Sequence, residues 1–285
     1  RCSRSTRAPR TPSQRTGEPV TDRVSNTLER VGRAAIAGVA EVGFGAVLMA
    51  QSVVWAFLGS KRGQPVRISM IFERCMEVGI AAVPIVTLMS ITIGMMLAIQ
   101  GIYTLATFGA EQQVTIGVGI SVVREFGPLI TGILIAGRTG SSLAARIGTM
   151  RINQEVDALE VMGVDPVRFL VTPALIAMLI MVPVLTFWAD LIMLAGAGWY
   201  ISVELGMSMG AYVDNLTEII VVDDVLHGLG KSVLFGLLIT LVGVINGALV
   251  EGGAEGVGRM TTRSVVLAIS AIIITDMIFA FIATR

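Results

Sequence analysis

The chain is 285 residues long, 54% hydrophobic and only 15% charged, with 21 basic residues balanced by 21 acidic ones. A soluble globular domain carries about 25% charged residues, so this composition, with a mean hydropathy of +0.79, excludes a soluble domain and indicates a membrane protein. Charge neutrality excludes bulk attraction to nucleic acid, and the two cysteines, Cys2 and Cys75, are too few and too scattered for a disulfide framework or zinc site.

Thirty-two glycines and few aromatics point to closely packed spanning helices rather than a barrel, because small residues let backbones approach. Residues 1–17 hold five arginines and no acid. That composition cannot bury a core, so a disordered basic tail is expected over 1–22, with a transit peptide as the second reading. Residues 23–74 form an elbow region around the apolar run 42–60. Arg23, Arg30 and Arg33 precede that run, and Lys61, Arg62, Arg67 and Arg74 follow it. A full crossing would put one basic flank on the wrong side. The run therefore reads as an interfacial or re-entrant elbow that enters and leaves on the cytoplasmic face.

A spanning helix needs about 20 mostly apolar residues. Within a transmembrane domain 75–285, five stretches qualify: about 78–105, 114–137, 169–202, 232–250 and 264–284. Lys and Arg number zero in the connecting loop 105–113, four in 138–168, zero in 204–230 and two in 251–263. This alternation puts the 138–168 loop in the cytoplasm. The 204–230 loop, with Glu204, Asp214, Glu218, Asp223 and Asp224, then lies outside. The fold class is an all-α membrane protein.

The segment Arg138–Pro166 is a polar island between apolar runs. Ile152, Val156 and Leu159 fall at i, i+4 and i+7, one apolar stripe on a short helix. Asn153 is the expected N-cap, Glu155 suits the first turn, and Gly163 and Pro166 end the helix. Gln154, Asp157 and Glu160 remain for water or a partner. The bland alternative is a solvated loop helix.

Four ionisable residues lie in or beside spans: Arg124, Glu125, Lys231 and Asp276. Each costs at least ~2.5 kcal/mol inside a bilayer and so needs a partner or a cavity. Adjacent residues point about 100° apart on a helix, so Arg124 and Glu125 face different neighbours. Ion pairs of Arg124 with Asp276 or of Glu125 with Lys231 would fix helix register. Gly127 and Pro128 follow at once and form the expected hinge, because proline removes a backbone hydrogen bond.

The run REFGPLITGILIAGRTGSSLAARIGTMRINQEVDALEVMGVDPVRFLVTP, Arg124–Pro173, resembles the signature of the MlaE family, and the likeness extends through LGKSVLFG (Leu229–Gly236) and GGAEGVGRMTTRSVV (Gly252–Val266) to Asp276. These proteins are permease subunits of ABC transporters that act on lipids with MCE-domain proteins. The resemblance implies a homodimer in the bacterial inner membrane, with the chloroplast inner envelope as the less favoured location. It implies that Asn153, Gln154, Glu155, Asp157, Leu159 and Glu160 couple to a cytosolic ATPase. It also implies that Arg124, Glu125, Lys231 and Asp276 surround a lipid cavity, with Arg124 and Lys231 as phosphate contacts. The family's first acid is displaced here, with Asn153 at its place and Glu155 two residues on.

Gly230-Lys231-Ser232 mimics the end of a P-loop, but Val225 stands where that motif needs glycine. No cofactor is expected on this chain; ATP and Mg belong to the partner ATPase. His227 lacks companions for a metal site, so none is expected. A proton-coupled secondary transporter using Glu125 and Asp276 is the alternative, although no inverted repeat is visible. An intramembrane aspartyl protease would need two carboxylates sharing a proton, and neither acid sits in a catalytic motif.

Overall fold

A computed structural model describes residues 68–283 and, before them, positions 38, 40–41, 43–52 and 54–55. The chain divides into two units, residues 1–43 and 44–285. The expected basic tail 1–22 lies outside the described residues, and so do residues 56–67 on the expected exit of the elbow. Within the elbow, residues 43–52 are helical.

Among the described residues every regular element is helical. Five helices are long and apolar enough to cross a membrane: Ile68–Ala106, Glu111–Ile152, Val167–Leu205, Val222–Ala248 and Gly253–Ile282. They are numbered here as spans one to five. Each extends beyond its apolar run, because backbone hydrogen bonding continues past the hydrocarbon wherever side chains can reach water or each other.

The difference that matters most for the polar residues is in the fourth span, which starts at Val222 rather than near residue 232. Asp224 caps it: its Oδ2 accepts from the Val221 backbone N–H at 3.3 Å. Acidic residues in a first turn also suit the helix dipole. The segment before it is not a plain loop. Met209–Ile219 is a helix capped by Ser208, whose Oγ accepts from the Ala211 N–H at 3.2 Å. Tyr212 on that helix is buried and donates its hydroxyl to the Leu194 carbonyl at 2.9 Å. Burial pushes its phenol up to about 12.

Spans one and three pack along a stripe of small residues. Val86, Ser90, Gly94 and Ala98 recur every fourth position and are all buried on the first span. Facing them on the third are Ala189, Met193, Ala197 and Ile201, also buried. Four-residue spacing keeps a stripe on one helix face, and small side chains bring the helices close enough for dispersion to hold them. Trp188 Nε1 donates to Thr87 Oγ1 at 2.9 Å across the same contact. A second core joins Ile135, Met178, Val182, Phe235, Ile239 and Ile272 from spans two to five. The fifth span is the least buried of the five and presents Val266, Ile273, Ile274, Met277 and Phe281 outward.

Candidate functional site

The second span is not a uniform α-helix. Val122–Phe126 and Ala136–Gly140 are wound as π-turns around the nine-residue α-helix Gly127–Ile135, with Pro128 in its first turn. Proline cannot donate, and a π-turn absorbs the resulting gap in the hydrogen-bond ladder. The first π-turn carries Arg124 and Glu125.

Lys231 projects into this turn from the third turn of the fourth span, and its side chain is 0% exposed. Its ammonium donates to Glu125 Oε2 at 2.6 Å, Asp276 Oδ1 at 3.0 Å and the Arg124 carbonyl at 3.1 Å. An ammonium has three protons, so all of its donors are used. Gly228 makes the approach possible, because a Cβ there would strike the Val123 carbonyl.

The structure thus brings Glu125, Lys231 and Asp276 together. It forms the Glu125–Lys231 pair, and Asp276 also turns to Lys231 rather than to Arg124. The Arg124 side chain pairs with Asp224, Nε to Oδ1 at 3.6 Å. Asp224 had been visible only as one of five outer acids. The five charged side chains comprise two cations and three anions, a formal −1. His227 lies beside them in the first two turns of the fourth span, not in a loop. Its ring meets Phe279 edge-on at 5.9 Å, and its Nε2 is buried without a partner. Among the described residues no group of acids, His and Cys is arranged to hold a metal.

A fifth intramembrane ionisable residue, Asp190, was not among the candidate site residues. Asp190 is 5% exposed in the third span, and its Oδ1 has no hydrogen-bond partner. It abuts Gly127, since a Cβ there would collide with that same oxygen. The expected span 169–202 already contained it, but nothing in the sequence beside it suggested a partner or a role.

The polar island folds as two helices. Ser141–Ile152 continues the second span, and Glu155–Val161 follows. The N-cap is Gln154, in the left-handed region at φ 60, and Asn153 instead caps the preceding helix. Asn153 Nδ2 donates to Glu155 Oε1 at 3.2 Å. Gly163, at φ 76, supplies the left-handed exit. Val156 and Leu159 are half-buried, while Gln154, Glu155, Asp157 and Glu160 are exposed; Ile152 is exposed too, so only two of the three stripe residues face inward. Beyond them Val161 is 89% and Met162 67% exposed, an apolar tip that periodicity did not single out.

The base of this segment is held to the protein. Asp165 Oδ1 accepts from the Val167 N–H at 2.8 Å and its Oδ2 from Trp55 Nε1 at 3.1 Å. The Arg168 guanidinium lies over the Trp55 ring at 5.8 Å.

Comparison with known proteins gives concordant results. The family model described as Permease MlaE matches residues 71–282. A probable ABC transporter permease protein of Rickettsia typhi is 34% identical over 221 residues, which cover 75% of this chain and 85% of that one. The intermembrane phospholipid transport system permease protein MlaE of Haemophilus influenzae is 34% identical over 212 residues, covering 72% and 78%. The chloroplastic protein trigalactosyldiacylglycerol 1 of Arabidopsis thaliana is 32% identical over 193 residues, covering 68% and 55%.

Proposed function

Because the chain belongs to the MlaE permease family of multi-pass membrane subunits, we propose that it moves phospholipid between the membrane and a periplasmic MCE-protein assembly. It works as two copies in a bacterial inner membrane, with ATP hydrolysed by a separate cytosolic ATPase. The observation that carries this reading is the helix Glu155–Val161, whose acidic face and apolar tip project from the end of the span that bears Arg124 and Glu125. Closure of the ATPases moves that helix, and the continuous second span carries the motion to the polar cluster.

At the cluster, Arg124 is the group a headgroup meets first. Its side chain is 35% exposed and its pair with Asp224 is long, whereas Lys231 is saturated. A phosphate that displaces Asp224 gains a planar guanidinium able to bind it bidentately. With Asp224 swung away, the remaining four side chains sum to zero charge. Glu125 and Asp276 hold Lys231 in place, so a proton relay through these acids would first have to break that bonding.

Co-purification tests the reading. Glu155→Lys with Asp157→Lys should abolish association with the ATPase while leaving the permease folded. A secondary transporter would be indifferent to those substitutions and would transport labelled lipid without ATP; that result would overturn the proposal.

A further inference from the structure

We infer that a second anionic-lipid site lies at the cytoplasmic membrane boundary, where Arg74, Arg138 and Arg146 gather around Glu77. The helix Ile68–Val78 supplies Arg74 and Glu77, and the second span supplies the other two. Arg74 pairs with the Glu77 carboxylate. Arg146 Nη1 approaches the same oxygen at 3.9 Å, and Arg138 Nη1 donates to the Glu77 carbonyl at 3.3 Å. Three guanidinium groups carry fifteen donors between them, and among the described residues their recorded acceptors are one carboxylate and one carbonyl. The local charge is +2, or +1 if Glu73 on the same helix is counted.

A small cleft opens at this point, lined by Arg74, Glu77, Thr139, Ser142, Leu143 and Arg146 among others, with room of about 30 Å3. That volume admits one or two water-sized groups, such as phosphate oxygens, and excludes a whole nucleotide or lipid. The Thr139 hydroxyl there is buried with no partner.

The level in the membrane fits a headgroup. Glu77 lies at the end of the helix Ile68–Val78, which the 3-10 turn Ile80–Ala82 joins to the 24-residue helix Val83–Ala106. That second helix is about 36 Å long, enough to cross the hydrocarbon of about 30 Å. Glu77 therefore stands just beyond the hydrocarbon, at headgroup level, and the loop charges put this end in the cytoplasm. On the same helix Phe72 and Met76, one turn apart, are 67% and 56% exposed. They give acyl chains an apolar surface beside the cationic cleft. The ligand is therefore the phosphodiester of an anionic phospholipid in the inner leaflet. This site lies at the opposite end of the second span from Lys231 and does not rest on the transport proposal.

Native mass spectrometry of the full chain, offered phosphatidylglycerol and phosphatidylcholine together, tests the inference. The wild type should retain phosphatidylglycerol selectively. Arg74→Gln with Arg146→Gln should lower that preference about fivefold per arginine removed, and Glu77→Gln should raise it. Ser142→Glu leaves every arginine in place and should lower it by adding a negative charge at an exposed position. Unchanged preference in the arginine and Ser142 variants would overturn the inference, as would a loss on Glu77→Gln. If inorganic phosphate at millimolar concentration releases the lipid and binds as tightly, the ligand is free phosphate and the lipid assignment falls.

Discussion

Replacing Lys231 with Met removes a buried ammonium while keeping most of the side-chain volume. Glu125 and Asp276 then face each other without the cation that lies 2.6 and 3.0 Å from them. Removing one partner of a buried pair costs ~3–5 kcal/mol, because the remaining charge is left uncompensated. The Glu125 side chain is 37% exposed, so water offsets part of that and the lower end applies. Replacing a whole buried ionic group with neutral residues of similar volume is often close to neutral. In a chain of this size each kcal/mol moves the melting temperature by roughly 2–4 °C. Lys231→Met should therefore melt roughly 10 °C below the wild type, whereas Lys231→Met combined with Glu125→Gln and Asp276→Asn should recover most of that loss. Tryptophan fluorescence during thermal unfolding in detergent reads both. A single variant that melts with the wild type, or a triple variant as unstable as the single, would refute the reasoning.

The contact between Gly127 and Asp190 makes a separate prediction. Gly127→Ala should destabilise by ~1–3 kcal/mol through overpacking against Asp190, and Asp190→Ala in the same chain should relieve much of it; additive losses in the melting temperature would argue against their contact. At the tip of the helix Glu155–Val161, Val161→Asp should stay within ~0.5 kcal/mol of wild-type stability and, on the proposed function, reduce ATPase retention on an affinity column. Asp224→Asn removes both the ion pair with Arg124 and a charged helix cap. It should cost ~1 kcal/mol of stability and, by freeing Arg124, increase retention of anionic lipid.

The cores of all five spans were legible because hydrocarbon imposes a simple rule of length and polarity. The helix ends were less so. Hydropathy marks where lipid begins, whereas helix hydrogen bonding continues through polar residues, so Asp223, Asp224 and His227 concealed the first turns of the fourth span. Lys231 consequently looked peripheral, although it is fully buried. The exchange of caps at Asn153 and Gln154 had no signal in residue type, because glutamine seldom adopts the left-handed region. Pairing choices were legible only as alternatives. Spacing on one helix says which directions residues face and nothing about which neighbour arrives there, so the contribution of Asp224 and the isolation of Asp190 required the assembled bundle.

The two π-turns in the second span have a mechanical consequence. A π-turn holds one residue more than the α-helix around it requires, and an α-helix advances 100° per residue. If that surplus residue migrates by one position along the chain, the rod beyond it keeps its hydrogen bonds and changes its azimuth. Gly127–Ile135 lies between two such turns, like a shaft between two couplings. It can rotate about its own axis while the helix ends beyond each turn stay anchored. On the proposed function, force entering at the helix Glu155–Val161 would then reach Glu125 as torque rather than as a push.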